Sequence, residues 1–317
     1  MTNIAVIGGG YVGLVTSIGL STLGHQVTCI EIDRDKVSSP NNQVMPIYEP
    51  GLSTLWRTYC QGGQLKMASD YREALAKAQM VFIAVETPSK KNGEVDTCFV
   101  MEAVKRVAND SDGTPILVIR STVPVGTGQA ISQILSPHCG TGPWPVVSNP
   151  EFLREGHAIS DFLVPDRVVV GSEDEDARDR VAELYQPLTQ PIVLTDNSTA
   201  ELIKYAANAF LSTKISFINE VARLADQVDV NIQQVAEGIG LDQRIGPAYL
   251  EAGLGWGDSC FPKDLAALLE MMERKGLPAP LLRSVIEVNT SQIDWVVQKL
   301  SDLLVPLCGR TIALWGL

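Results

Sequence analysis

Long apolar runs are absent from this chain of 317 residues. No stretch reaches the roughly 18 consecutive apolar residues that a membrane-spanning helix needs. Residues 1–9 also lack the basic start and the long apolar segment of a secretory signal peptide. We therefore expect no membrane partner and a cytoplasmic location.

Basic residues are also few. Lysine and arginine number 25 against 37 aspartate and glutamate residues, which gives a net charge of −12 and a pI of about 4.8. A chain of this sign is a poor partner for nucleic acid, so we expect none, and any phosphate must be bound by local groups.

Closely spaced cysteine pairs are missing as well. The 6 cysteines are scattered without C-x-x-C spacing, which predicts neither a disulfide framework nor a metal site such as zinc. The composition, 45% hydrophobic and 20% charged, is that of an ordinary globular protein. The length suffices for two domains.

The chain begins with a nucleotide-binding pattern. An apolar strand at residues 3–7 runs into GGGYVG at residues 8–13, and an apolar helix follows up to Gly24. In a G-x-G-x-x-G motif between a strand and a helix, the glycines permit a tight turn, close approach of a pyrophosphate and close helix packing. The next strand ends at Glu31, whose carboxylate would accept hydrogen bonds from the adenosine ribose and repel a 2′-phosphate. NAD is therefore favoured over NADP.

Further short apolar runs alternate with helical or loop segments, at residues 79–85, 115–119, 145–147, 167–170 and 191–194. This alternation predicts a Rossmann-type, doubly wound parallel sheet that is covered on both faces. Ligands of such sheets bind beyond the carboxyl ends of the strands. The polar segments that leave those ends, residues 86–88, 120–124 and 148–156, are therefore candidate site segments.

The second half of the chain reads as helical. Ser198 and Glu201 have the spacing of a capping box and predict a long helix from Ser198 to about Val228. Three more helices are predicted at residues 232–239, 264–275 and 281–304. Lys204 and Asn208 lie on one face of the long helix. A lysine among apolar neighbours either extends its ammonium into water or serves a site.

A glycine-rich loop at residues 253–257 precedes Cys260, and Pro262 suits the first turn of the next helix. The dipole of that helix and nearby Lys263 would favour a thiolate at Cys260, and Asp264 would reach the same pocket. The alternative for an isolated cysteine is a small buried hydrophobic residue.

Three regions follow from these patterns: residues 1–196 as the NAD-binding Rossmann-like domain, residues 197–305 as a helical central domain with the cysteine, and residues 306–317. The last region reads as the first strand, at residues 311–317, of a further α/β domain.

Several sequence blocks, in order, resemble one family. They are GGGYVG at 8–13, PIYEPGL at 46–52, STVPVGT at 121–127, NPEFLREG at 149–156, residues 201–220, RIGP at 244–247 and GWGDSCFPKD at 255–264. With these blocks the chain resembles the UDP-glucose 6-dehydrogenases, within the UDP-glucose/GDP-mannose dehydrogenases. Asp258 departs from the family, which usually has glycine there.

The resemblance implies an NAD-dependent, four-electron oxidation of UDP-glucose to UDP-glucuronate through a thiohemiacetal and a thioester on Cys260. The other catalytic positions that it implies are Lys204, Asp264, Asn208, Thr122 and Glu151. It places NAD contacts at Gly8, Gly10, Tyr11, Val12, Gly13, Glu31, Lys36, Thr87, Ser121, Glu155 and Lys263. It places sugar-nucleotide contacts at Phe152, Leu153, Arg244, Tyr249 and Leu250.

The resemblance also implies a homodimer through the long helix that starts near Ser198. Family members carry a C-terminal nucleotide-sugar-binding domain, of which this sequence holds only the start, so we expect little turnover from the 317-residue chain itself. Three alternatives remain: GDP-mannose or another nucleotide sugar as substrate, a hydroxyacid-type dehydrogenase without a nucleophilic cysteine, and a dimeric NAD-binding regulatory or assembly module without catalysis.

Overall fold

A computed structural model describes residues 1–33, 45–139 and 142–313. The chain divides into two compact units. The first comprises residues 1–90 and 95–204, and the second comprises residues 91–94 and 205–317. Each unit is described by itself below.

Strands and helices alternate through the first unit. In chain order they are β1 (Asn3–Ile7), α1 (Tyr11–Thr22), β2 (Gln26–Ile30), α2 (Leu52–Gln61), β3 (Leu65–Ala68), α3 (Tyr71–Leu75), β4 (Met80–Ile83), α4 (Cys98–Asp110), β5 (Ile116–Ile119), α5 (Thr127–Cys139), β6 (Val146–Ser148), α6 (Ala158–Leu163), β7 (Val168–Gly171), α7 (Glu175–Glu183) and β8 (Ile192–Thr195). The predicted α/β class is confirmed.

Within the described residues, the strands form an 8-stranded sheet in the order β3-β2-β1-β4-β5-β6-β7-β8. The strands from β3 through β6 in this order pair in parallel, as predicted. The predicted parallel sheet has one reversal, because β7 pairs antiparallel to β6 at Ser148 and Gly171, and β8 pairs parallel to β7. A buried strand reads as an apolar run in either direction, so its composition does not encode this reversal.

Side chains on the two faces of the sheet enter separate cores. Val6, Phe82 and Val118 belong to one apolar cluster, whereas their neighbours Ala5 and Val81 belong to another. Successive residues of a strand point to opposite faces. Apolar side chains on both faces therefore explain why these strands read as continuous hydrophobic runs.

A single long helix, α8 (Asn197–Gln227), begins in the first unit and continues into the second. The predicted capping box is wrong. The helix starts at Asn197, and the carboxylate of Asp196 accepts hydrogen bonds from the backbone N–H of Thr199 at 2.8 Å and from its hydroxyl at 2.6 Å. The cap therefore lies before Ser198, and Glu201 is free to bind elsewhere.

The second unit is helical, as predicted. After α8 come α9 (Ile232–Gly240), α10 (Phe261–Arg274) and α11 (Pro280–Leu303). Ala209, Leu265 and Val285, one from each of α8, α10 and α11, form its apolar core. The indole of Trp256 donates to Ser216, and Ser216 donates to the carbonyl of Val285.

Of the strand predicted at residues 311–317, residues 311–313 have no regular structure and residues 314–317 lie outside the described residues. Among the helices that the structure describes, none combines the length and the apolar character required to cross a bilayer.

Candidate active site and cofactor site

The glycine loop between β1 and α1 is shaped by contacts that only glycine allows. Gly8 has a φ of +109°, and a Cβ there would lie 2.5 Å from the carbonyl oxygen of Ala84. A Cβ on Gly13 would lie 1.7 Å from the carbonyl oxygen of Gly8. Among the described residues, no atom lies within 4 Å of the place where a Cβ of Gly10 would be, so in this part of the chain the start of α1 is open. An open helix N-terminus is suited to a pyrophosphate.

Glu31 follows the end of β2 beside this loop. Its carboxylate accepts hydrogen bonds from the N–H of Gly9 at 3.1 Å and of Asp33 at 3.0 Å. Together with Gly8, Gly10 and Tyr71, Glu31 lines a cavity of about 880 Å³. This volume is within the usual range for cofactor sites. The glycine loop, the acidic residue and the cavity fit a bound dinucleotide.

Tyr11, at the first position of α1, is held by Glu49. The phenol donates to the carboxylate at 2.6 Å, and the same carboxylate accepts the N–H groups of Gly156 at 2.9 Å and Ala158 at 2.8 Å. Burial and the Glu49 hydrogen bond raise the pKa of Tyr11 well above its usual value. The sequence places Glu49 in the PIYEPGL block but predicts no role for it. An acid before Pro50-Gly51 was the only signal.

Most of the remaining predicted NAD contacts belong to the first unit, whereas Lys263 belongs to the second. Thr87 is buried after β4, and Ser121 after β5 donates its hydroxyl to the carbonyl of Val85 at 2.6 Å. Val12 is half-buried in α1, and Glu155 is exposed in the segment after β6. Lys36 lies outside the described residues.

Glu151 and Lys204 form a buried ion pair. The ammonium donates to the carboxylate and to the backbone carbonyl of Glu151, both at 2.8 Å, and the carboxylate also accepts the N–H of Leu153 at 2.7 Å. Burial opposes ionisation of Glu151, but the charge and hydrogen bond of Lys204 outweigh it and lower the pKa. Because Lys204 is buried, an ammonium extended into water is the wrong alternative for this lysine.

Phe152 follows the predicted catalytic residue Glu151 in the sequence. Two cations lie near its ring. The guanidinium of Arg167 lies 3.7 Å from the ring centroid, and the ammonium of Lys204 lies 5.4 Å from it. These contacts fix the aromatic ring beside the ion pair.

In the second unit, Asn208 and Asp264 meet. Asp264 is fully buried in the first turn of α10, and its carboxylate accepts hydrogen bonds from the amide of Asn208 and the ammonium of Lys263, both at 2.6 Å. Asn208 lies one helical turn after Lys204 on α8. The structure thus brings Glu151 into contact with Lys204. It also brings both Asn208 and Lys263 into contact with Asp264.

Cys260 is the N-cap residue of α10, and Pro262 lies in the first turn, as predicted. The thiol is half-buried and lies 3.6 Å from the hydroxyl of Ser259. Asp258 has a φ of 65°, in the left-handed region that favours glycine. This geometry suits the glycine that the resemblance leads us to expect at this position. A sulfur at a helix N-terminus lies at the positive end of the helix dipole.

The other predicted sugar-nucleotide contacts follow α9 in the second unit. Arg244 is exposed and pairs with Asp242 at 2.6 Å. Tyr249 has a φ of 64° and its ring lies 6.3 Å from that of Phe261, whereas Leu250 is buried.

The model of the UDP-glucose/GDP-mannose dehydrogenase family NAD binding domain matches residues 2–189, and the model of the central domain of the same family matches residues 198–291. The chain belongs to this family. It is therefore a nucleotide-sugar dehydrogenase with an NAD-binding domain, and the predicted class of enzyme and cofactor is confirmed.

Members of the UDP-glucose/GDP-mannose dehydrogenase family from bacteria and archaea resemble the chain along almost all its length. The UDP-glucose 6-dehydrogenase YwqF of Bacillus subtilis is 46% identical over 99% of this chain and 72% of the relative. The UDP-glucose 6-dehydrogenase TuaD of the same organism is 44% identical over 100% of this chain and 69% of the relative. A UDP-glucose dehydrogenase structure from Pyrobaculum islandicum superposes with a TM-score of 0.92 at 38% identity, covering 96% of this chain and 72% of that one.

Proposed function

We propose that this dehydrogenase oxidises UDP-glucose to UDP-glucuronate. The observation that carries the proposal is Cys260 at the N-terminus of α10, since a nucleophilic sulfur lets one enzyme perform two oxidations. The relatives from Bacillus subtilis are UDP-glucose 6-dehydrogenases, which supports the choice of sugar. NAD, when bound, accepts a hydride in each oxidation, so each sugar requires two NAD molecules.

The first oxidation removes the hydroxyl proton at C6 of the sugar as its hydride leaves, and the product is an aldehyde. We assign Lys204, Asn208, Asp264 and Thr122 to the water and the developing oxyanion of this step. The hydrogen bond between Asn208 and Asp264 and the burial of Lys204 support the assignment, because both hold polar groups in fixed positions away from bulk water.

The second oxidation uses the sulfur. The thiolate of Cys260 adds to the aldehyde carbon, the oxygen takes a proton, and the resulting thiohemiacetal loses a hydride and a proton to become a thioester. Water then attacks the thioester carbonyl, releasing the thiolate and the carboxylate product. We assign Glu151 and Thr122 to the guidance of this water. Glu151, held as a carboxylate by Lys204, has the charge to orient it.

A homodimer through α8 is part of the proposal. Phe210, Phe217 and Leu224 recur at intervals of seven residues on this helix, and their exposed fractions are 66%, 53% and 63%. An interval of seven residues places them along one helix face, as in a helix–helix interface. A second copy would cover this apolar stripe.

The experiment counts NADH per sugar and examines the thiol. The chain is incubated with UDP-glucose and NAD, and NADH and UDP-glucuronate are quantified. We expect two NADH per UDP-glucuronate, and the ratio carries the test even when turnover is slow. Intact-mass measurement after acid quenching should show a sugar-nucleotide adduct that disappears in Cys260→Ser and persists in Cys308→Ser, which removes an exposed thiol.

Each alternative has its own outcome. One NADH per sugar with no adduct would indicate a simple alcohol dehydrogenase. Faster NADH production from GDP-mannose than from UDP-glucose would change the assigned sugar. NAD binding without NADH production from any nucleotide sugar would favour the regulatory module.

A further inference from the structure

Glu201 is a buried carboxylate to which the reaction above gives no role. It lies in the second turn of α8 and accepts the backbone N–H of Gly126 at 2.6 Å on one oxygen. Its other oxygen accepts the N–H of Gly128 at 2.8 Å and the hydroxyl of Ser148 at 3.0 Å. Both carboxylate oxygens are therefore engaged by donors from other elements of the first unit.

The two glycines flank Thr127, the first residue of α5. The N–H groups at the start of a helix have no partner within that helix, so an acceptor from another element fixes its position. Gly128 is required for this approach, because a Cβ there would lie 2.5 Å from the side-chain amide of Asn197 and 2.9 Å from the hydroxyl of Ser148. Glu201 thereby attaches the start of α5 to α8.

The segment that carries Thr122 is held at both ends. At one end, the N–H of Ser121 donates to the carbonyl of Ile83 at 2.9 Å. At the other end, Gly126 is bound by Glu201. Thr122, Glu201 and Lys204 also line the same small cavity, of about 10 Å³. Because Glu201 and Lys204 are one turn apart on α8, the carboxylate sets the place of the Thr122 segment relative to the lysine.

We propose that Glu201 is a positioning residue that fixes Thr122 against Lys204 by binding the N–H groups of Gly126 and Gly128. Burial raises the pKa of Glu201 to about 7, so above that pH each of its oxygens can accept an N–H, whereas a glutamine of the same shape offers one acceptor and turns an NH₂ group toward the other donor. The catalytic consequence rests on the function proposed for Thr122.

The test compares Glu201→Gln with the wild-type chain in single-turnover NADH formation, with enzyme in excess over UDP-glucose. We expect a rate lower by about 10- to 100-fold, because displacing a reacting group by about 1 Å costs that much. The dissociation constant for NAD, measured by calorimetry, should change by less than about 3-fold, since Glu201 lies outside the glycine loop.

A double-mutant comparison separates positioning from general damage. In a Thr122→Val background, Glu201→Gln should lower the rate by less than about 3-fold, because residues that act through each other are not additive. Ser172→Ala removes another buried hydrogen bond of the first unit, to the carbonyl of Val146, and serves as the matched control. In each background, Ser172→Ala should change the rate of NADH formation by less than about 3-fold relative to its parent.

Amide hydrogen exchange directly measures how firmly Glu201 binds the N–H groups of Gly126 and Gly128. We expect Gly126 or Gly128 to exchange at least about 10-fold faster in Glu201→Gln, without an equal increase throughout the sheet. Unchanged exchange at both glycines, or equal rate losses in the two backgrounds, would overturn the inference. If the wild type forms no NADH, the proposed function fails, while the exchange measurement still decides whether Glu201 holds the segment.

Discussion

Replacing Lys204 with methionine would leave the carboxylate of Glu151 buried without its cation. The side chains of the two residues are only 5% and 8% exposed, so water cannot take the place of the ammonium. Removing one member of a buried ion pair costs about 3–5 kcal/mol. We expect Lys204→Met to lose that much stability, apart from any effect on activity.

The expected loss corresponds to a large shift in melting temperature. For a unit of about 200 residues, each kcal/mol shifts the midpoint by about 2–4 °C, so the midpoint should fall by about 6–20 °C. Differential scanning calorimetry at pH 7.5 measures it. Lys66→Met is the matched control, because Lys66 pairs with Glu73 at 3.0 Å with both side chains more than half exposed. An exposed pair contributes about 0–1 kcal/mol.

The loss should depend on pH. In the wild type the pKa of Glu151 lies below its ordinary value of 4.5, so the pair stabilises the fold above that value and less as the pH falls through the lowered pKa. In Lys204→Met, the charge and hydrogen bond of Lys204 are lost while burial still raises the pKa of Glu151, so the carboxyl is protonated more readily. The difference in melting temperature between the wild type and Lys204→Met should therefore be smaller at pH 5 than at pH 7.5.

A second substitution decides the cause. Glu151→Gln combined with Lys204→Met removes both charges and keeps an acceptor for the N–H of Leu153, so it should recover most of the lost stability. The reasoning would be refuted if the free energy of unfolding of Lys204→Met lay within about 1 kcal/mol of the wild-type value. It would also be refuted if the double variant were as unstable as Lys204→Met.

Three further predictions concern the cofactor loop, its support and the helix stripe. Gly13→Ala forces a methyl group against a backbone oxygen and should lower both the melting temperature and the affinity for NAD by calorimetry, whereas Gly10→Ala, with open space around it, should keep the melting temperature. Glu49→Gln weakens three charge-assisted hydrogen bonds and should cost about 1–3 kcal/mol in urea unfolding; an unchanged midpoint would contradict this. Phe210→Glu should convert a dimer to a monomer in sedimentation velocity, while Ile134→Glu, at another exposed apolar site, on α5, should not.

The sequence predicted the elements better than their directions and contacts. Apolar runs located seven of the strands, because burial on both faces requires continuous hydrophobic residues. The strand β3 was missed because Leu65–Ala68 is short and includes a lysine. The reversal of β7 depends on how the chain returns after β6, and no single residue encodes it.

The candidate site was predictable where one residue type is required by local geometry. Gly8 and Gly13 belong to this class, since their close backbone contacts exclude other residues. Long-range partners were not predictable. The capping spacing of Glu201 hid its attachment to the start of α5, and nothing near Lys204 in the sequence names Glu151 as its partner.

The reversed strands have a consequence for the placement of the lysine. Because β8 runs against β6, α8 starts near the beginning of β6 and advances alongside it. Its first residue, Asn197, binds Ser148; one turn later Glu201 binds Ser148; and the next turn brings Lys204 to Glu151. Had β7 and β8 followed the direction of their neighbours, a helix packing back along the sheet after β8 would have run against β6, and its eighth residue would have advanced away from Glu151. The direction of these two strands thus determines where the ammonium of Lys204 lies.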